Sequence, residues 1–376
     1  MKRFGLELES FFLLVGTIVG VGMFGIPFVF AKAGFLTGLL DLVILTAAVV
    51  IVHLAYTDVV LEAGTTHRLP GYVRSYLGRG AGFLSLASYV FGLSGSLLAY
   101  IVLGGFFLQS LLTWMLPNVP ALAGVFAFYV LGVGIMLRGV RFEGVANGIL
   151  TVLLIGAIIF LGVLLLPHAT GSFLTGFQAT GLFVPYGVLL FSLAGAAIIP
   201  DMQILLGRER RGLLRRVVLL GTITSAVLYF LFAIAVVGVT GTSTTPDAFL
   251  GIAKAIGSGY LLAGALIGFL AAMTSFIPLG TVFHGVLKQD AGLPTKAAWL
   301  VVVGVPLLLW AIGFQDFIQI VSIIGVFGVG LDCIFILAMH QRLPRADGGL
   351  SIPRPISGIL ALMFVGGIVI EITRFL

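Results

Sequence analysis

Charged side chains are scarce in this sequence. Asp, Glu, Lys and Arg together supply 9% of 376 residues, against 60% hydrophobic ones. A water-soluble domain needs far more polar surface than that, so the class is excluded. Short segments of strict apolar–polar alternation are missing as well, which removes a transmembrane β-barrel. There is one cysteine, Cys333, so no intrachain disulfide can form. Enzyme signatures are absent: no His-Glu-x-x-His, no Gly-x-Ser-x-Gly, no phosphate loop and no Cys/His metal spacing. An enzyme and an organic cofactor are therefore not expected. No repeated filter segment or ring-forming charged motif points to a channel.

Long apolar runs fill the chain instead. They predict an all-α polytopic membrane protein with about eleven helices, near 11–31, 35–61, 81–114, 120–137, 145–166, 182–206, 217–239, 259–287, 297–313, 317–340 and 356–375. The first run follows Met1-Lys2-Arg3 as a signal peptide would. It is too long, and no small-x-small cleavage site leading to a polar domain comes after it, so it is expected to remain as a span. Basic residues fall on alternate loops. With the N-terminus cytoplasmic, the inner loops receive Lys2, Arg3, Arg68, Arg74, Arg79, Arg138, Arg141, Arg208, Arg210, Arg211, Arg215, Arg216, Lys288, Lys296, Arg342, Arg345 and Arg354; only Lys32, Lys254 and Arg374 fall outside. The net charge of +6 thus sets topology and does not signal nucleic-acid binding. The expected partners are the lipid bilayer, of a prokaryotic inner membrane, and a small molecule. Oligomeric state is not legible.

Glycine marks the stretch around which the chain is organised. Gly16-Thr17-Ile18-Val19-Gly20-Val21-Gly22-Met23-Phe24-Gly25-Ile26-Pro27 lies inside the first span, with Gly20 to Gly22 near the middle of a ~30 Å hydrocarbon layer. Two readings fit: close helix packing through Gly16-xxx-Gly20, or a helix that opens and offers N–H and C=O groups to an ion or polar ligand. The sixth span repeats the pattern in Phe191-Ser192-Leu193-Ala194-Gly195-Ala196-Ala197, followed by Pro200 and Asp201. Interruptions in corresponding spans of two five-helix halves point to an inverted-repeat transporter with its site between the breaks. Half-helix N-termini suit a carboxylate and unwound carbonyls an ammonium, the two ends of an amino acid. One membrane domain over 1–376 is expected, with repeats of about 8–166 and 180–340 and an extra peripheral helix of about 356–375.

A third element is Ala271-Ala272-Met273-Thr274-Ser275 in the eighth span. Two hydroxyls at Thr274 and Ser275, with the carbonyls of Gly16, Val19 and Ala271, would make a five-oxygen cage for a small cation without a fixed carboxylate. The bland alternative is a hydroxyl bonded to the carbonyl one turn back. Ionisable residues within spans are costly and hence informative. Asp58, Glu62, Asp201 and His284 are near enough to the inner face to reach it. His53 and Asp332 are deeper, and either a proton relay or a hydrogen-bonded structural role fits them. Among the loops, 167–181 is polar, and 248–256 reads as a short amphipathic helix that either lies on the outer surface or caps an external vestibule.

Three stretches carry a family resemblance. Gly16 to Met23 with Pro27 and Ala33-Gly34-Phe35, Phe191 to Gly195 leading to Ile199-Pro200, and Ala272-Met273-Thr274-Ser275-Phe276 resemble the first-, sixth- and eighth-helix motifs of the hydroxy/aromatic amino acid permeases and their amino acid/auxin permease relatives. These belong to the amino acid–polyamine–organocation superfamily with the leucine-transporter fold. The resemblance implies a 5+5 inverted repeat with discontinuous helices 1 and 6, and secondary active import of an amino acid by sodium or proton symport with alternating access. Backbone N–H groups of Gly20, Val21 and Gly22 would then hold the carboxylate, with the ammonium on carbonyls of Ile18, Phe191 and Ala194. Ser192 and Gly195 complete the substrate site, and the Phe191 ring would gate it. Gly16, Val19, Ala271, Thr274 and Ser275 fall on the sodium positions of sodium-coupled relatives. Some proton-coupled relatives carry a lysine in the fifth helix, where this chain has no charge. Relatives often have a polar residue after Gly195, where this chain has Ala196 and Ala197, which suits a neutral hydrophobic or aromatic substrate. An amino acid exchanger, or a non-transporting sensor with the same site, is the alternative; the short termini give no appended signalling segment.

Overall fold

The computed structural model describes residues 2–63, 65–116, 118–138, 140–207, 209–344 and 349–375, with only the backbone given for 2–4, 140–147 and 374–375. The side chains of Lys2, Arg3, Arg141, Arg208, Arg345 and Arg374, used above for orientation, lie outside that description. All regular structure among the described residues is helical; none of it is strand.

The first apolar run is two helices, α1 (Lys2–Ile18) and α2 (Gly22–Ala33), which meet at 49°. Then come α3 (Phe35–Glu62), the short α4 (Leu69–Leu77), α5 (Arg79–Met115), α6 (Ala123–Met136) and α7 (Val140–Leu165). The sixth run is also divided, into α8 (Tyr186–Ser192) and α9 (Ile199–Leu206). It is followed by α10 (Arg211–Thr240), α11 (Phe249–Ile256), α12 (Gly259–Gln289) and α13 (Thr295–Ala311). The tenth run is α14 (Phe317–Ile323), a π-helical turn over Ile324–Val329, and α15 (Gly330–His340); α16 (Arg354–Phe375) ends the chain.

Among the described residues, eight helices are long and apolar enough to cross a membrane, and nine when α1 and α2 count as one span. The runs expected at 120–137 and 297–313 are the shorter apolar helices α6 and α13, of 14 and 17 residues. At 1.5 Å per residue α6 reaches only ~21 Å, short of a ~30 Å hydrocarbon layer.

Proline and glycine explain where helices yield. Pro27 in α2 and Pro278 in α12 lack an N–H, so the carbonyls of Met23 and Thr274, one turn earlier, lose their helical donor. Close approach fixes several glycines. A Cβ at Gly22 would overlap the Ser192 hydroxyl and come within 3.1 Å of the Ser192 Cα, so the two opened runs can touch only because Gly22 has no side chain. The π turn is held the same way, since a Cβ at Gly325 would overlap the Gly187 carbonyl of α8.

The two ends of the bundle differ. Where α10 meets α12, the chain turns through α11, which starts after Ala248 (φ 66°) with the Asp247 carboxylate accepting from Leu250 N–H at 2.7 Å. Phe249 points inward and packs against Phe24, Phe107 and Phe232, with ring centroids 5.6–6.1 Å away. The opposite end carries ion pairs. Arg68 donates both terminal nitrogens to Asp201, at 2.5 and 2.9 Å. Arg211 pairs with Glu62, and Arg215 with Asp58, which also accepts from Leu350 N–H at 2.7 Å. His284 instead stacks on Trp299 with ring centroids 4.3 Å apart.

Candidate functional site

Val19, Gly20 and Val21 separate α1 from α2. Gly20 N–H donates to Ile18 O at 2.8 Å, and the next turn restarts with Met23 N–H to Gly20 O and Phe24 N–H to Val21 O. The N–H groups of Val21 and Gly22 have no acceptor among the described residues. In the sixth run the helix stops at Ser192, and a short turn over Ala196–Ile198 precedes α9. Both readings of the first span hold at once: the helix opens at 19–21, and its glycines make close contacts. A Cβ at Gly16 would strike Thr151 of α7, and one at Gly20 would strike Ser275.

A narrow cavity of ≈ 80 Å³ lies between the two breaks. Its wall includes Ile18, Gly20, Gly22, Phe191, Ser192, Ala194 and Gly195, so most of the expected substrate-site residues are brought together there. His53 and Asp332 line the same cavity. Val21 is fully buried beside it. A larger cavity of ≈ 690 Å³ opens at the charged end beside Asp58, Arg215 and His340, away from both breaks.

Residues not anticipated from sequence hold the breaks in place. The hydroxyl of Tyr229, on α10, is 2.5 Å from Ile18 O and 2.7 Å from Ser192 O. One proton is therefore shared by a carbonyl from each break, and Tyr229 pins the two together. His53 acts on the other side. Thr222 Oγ1 donates to Val218 O at 2.8 Å, so its 3.0 Å contact with His53 Nδ1 requires the ring nitrogen to be the donor. The Nε2 lone pair then accepts Gly195 N–H at 3.2 Å. Both ring nitrogens are engaged, and His53 supports the backbone of the sixth-run break.

The residues expected to bind a cation sit next to the first break. Ser275 Oγ donates to Gly16 O and lies equally close to Thr17 O, both at 3.1 Å, and Thr274 Oγ1 donates to Ala271 O at 3.0 Å. Thr274 and Ser275 are fully buried, as is Val19. Thr151 brings a further hydroxyl to the same neighbourhood, on the α7 run that bears no charge within the membrane. Thr274 thus bonds the carbonyl one turn back, as the plain alternative has it, whereas Ser275 reaches across to α1; all of these oxygens are neutral. Among the described residues no cluster of His, Cys, Asp and Glu could hold a metal ion.

The sequence profile of the Tryptophan/tyrosine permease family matches residues 7–287 of this chain. The chain belongs to that family. It is an amino acid permease, and no enzyme. A similar protein is Glutamine transporter 2 of Aliivibrio fischeri, 22% identical over 355 residues that cover 92% of this chain and 90% of that one. The matched region includes both breaks, Tyr229 and the Thr274–Ser275 pair; the α15 wall of the cavity, with Asp332, lies beyond it.

Proposed function

We propose that this permease imports a neutral amino acid with a hydrophobic or aromatic side chain, coupled to sodium, by alternating access. The observation that carries the reading is the pair of opened helices facing one cavity. Unused N–H groups of Val21 and Gly22 stand at the positive end of α2, and opposite stands the carbonyl of Ala194, whose own N–H is spent on Phe191 O at 3.2 Å. The first suits a carboxylate and the second an ammonium. Ala194, Ala196 and Ala197 keep the wall small and apolar, which favours an uncharged side chain. Because Tyr229 already occupies Ile18 O, the ammonium falls mainly to the sixth-run side. A relative that bears the name of a glutamine transporter supports a neutral substrate too.

In this reading α1–α7 and α8–α15 are the two inverted five-helix halves, and α16 is peripheral. The end bearing Arg68, Arg74, Arg79, Arg211 and Arg215 faces the cytoplasm of a prokaryotic cell, with Lys32 and Lys254 outside. Sodium sits on Ser275 and Thr274 with carbonyls of Gly16, Val19 and Ala271. Its arrival frees the two hydroxyls from their carbonyl partners and draws α1 against α12, so ion and substrate order the same break. The cavity is too narrow for an aromatic amino acid as it stands, which agrees with admission by movement of one half against the other.

Uptake of labelled amino acids into proteoliposomes tests this, with sodium and proton gradients imposed separately and Thr274→Ala/Ser275→Ala as the control. Sodium-driven uptake that collapses in the double variant is expected. Uptake driven only by protons would remove the sodium assignment, and gradient-independent exchange would replace import by antiport.

A further inference from the structure

Most polar groups on the cavity wall already have partners. Thr17, Ser96 and Ser192 each donate to the carbonyl one turn back, at 2.7–2.8 Å. His53 uses both ring nitrogens, as shown above. Asp332 differs: its Oδ1 is covered and has no hydrogen-bond partner. It stands on α15 just after the π turn, on a face shared by Gly328, Val329, Cys333 and Ile336, all of which border the cavity. Leu93, Leu279 and Ile324 are the apolar neighbours on this part of the wall, and Tyr89 borders it as well. A carboxyl left without a partner inside a membrane protein is costly, and such a group is kept for something the chain itself does not supply.

We propose that Asp332 reads the polar tip of the substrate side chain, accepting the indole N–H or phenol O–H of an aromatic amino acid whose backbone is held at the two breaks. This rests on the import reading above and deepens it to a specificity determinant. A carboxyl keeps at least one acceptor oxygen whether or not it carries its proton, so it serves this purpose in either state. A mostly apolar wall whose hydroxyls at Thr17, Ser96 and Ser192 are already bonded binds an aromatic ring largely by area and distinguishes poorly between rings of similar size. One acceptor at a fixed place changes that, because a ring with no N–H or O–H leaves the carboxyl unpaired after water has been expelled. Tryptophan and tyrosine are then preferred to phenylalanine.

The test is substrate counterflow in proteoliposomes, which needs no ion gradient. Exchange of labelled phenylalanine is competed with tryptophan, tyrosine and unlabelled phenylalanine, for wild type, Asp332→Leu and Asp332→Asn. In Asp332→Leu, tryptophan and tyrosine are expected to weaken about ten- to a hundredfold relative to phenylalanine, whose affinity stays within a few-fold. Asp332→Asn keeps an acceptor oxygen and falls between the two; it decides the matter if the leucine variant does not accumulate. Equal loss for all three amino acids in a monodisperse variant assigns Asp332 a structural role and overturns the proposal. An unchanged ranking, with accumulation lost only in a parallel run under an imposed proton gradient, makes it a proton carrier and overturns it as well. Failure of the wild type to exchange any aromatic amino acid is a different result, which removes the substrate reading itself and this proposal with it.

Discussion

On the proposed reading, the cavity is closed by different materials at its two ends. Toward α11 the closure is a cluster of phenylalanine rings: Phe24, Phe107, Phe232 and Phe249, all at most 2% exposed. Toward the arginine-bearing loops it is a set of ion pairs, Arg68 with Asp201, Arg211 with Glu62 and Arg215 with Asp58. Ring packing is broad, and dispersion tolerates small changes of shape. An ion pair is directional and strands a charge when one partner leaves. The rings should therefore bend to substitution while the pairs break; if the proposed alternating access holds, one gate is forgiving and the other exacting. Cys333 borders the cavity and is the sole cysteine, so its labelling by impermeant thiol reagents from either side reports which closure has opened.

The largest effect is expected at Asp201. It joins α9, the second half of the divided sixth run, to Arg68 before α4, and the arginine side chain is only 11% exposed. Asp201→Ala leaves that guanidinium unpaired. A fully buried pair broken this way costs ~3–5 kcal/mol; with 29% of the Asp201 side chain exposed, about 2–3 kcal/mol is expected. That should favour opening at the charged end, seen as faster Cys333 labelling from that side together with lost uptake. Exchanging the pair, Arg68→Asp with Asp201→Arg, should recover much of both. Unaltered labelling in Asp201→Ala would mean that the pair does not guard the cavity.

The ring closure should prove more forgiving. Phe249→Leu keeps most of the apolar volume but gives up ring contacts, and a cost of about 1–2 kcal/mol is expected, spread over the packing without stranding a charge. Transport should survive, with labelling of Cys333 from the α11 side raised only slightly. A collapse of transport as severe as that of Asp201→Ala would erase the contrast between the two ends.

The same contrast marks how much could be read from sequence. Glycine and proline declare the breaks, because a helix interior that tolerates Gly20-Val21-Gly22 and Pro27 is locally weak whatever surrounds it. The short helix over Phe249–Ile256 was legible from its amphipathic pattern, and its ring contacts decide between a surface position and a packed one in favour of packing. Tyr229 was not found, although a tyrosine in mid-span, far from either interface, was a signal that its hydroxyl needed a buried acceptor. Its partners lie 211 and 37 residues away, and only the fold brings them together. The π turn was missed for a similar reason. Gly325, Gly328 and Gly330 hint at close approach, but the wider turn follows from packing against α8 and α5. For His53 the sequence allowed a relay or a hydrogen-bonded structural role; its partners Thr222 and Gly195 lie on two other runs, and only the fold brings them to the ring.

The smallest effect belongs to Glu62 and Arg211, and it sharpens the comparison from within the charged end. Their side chains are 22% and 45% exposed, so water and salt share the work of solvating both. Exposed pairs contribute at most about 1 kcal/mol and less as ionic strength rises. Arg211 also donates to Leu61 O at 3.3 Å, so part of its hold on α3 does not depend on the carboxylate. Glu62→Gln should change uptake less than twofold at moderate salt, and the difference from wild type should vanish in high salt. A loss comparable to that of Asp201→Ala would show that the ion pairs act as one coupled network. With the small effect expected, the exacting character of this end resides in the more buried pairs, Arg68 with Asp201 and Arg215 with Asp58, where burial rather than charge number makes a pair matter.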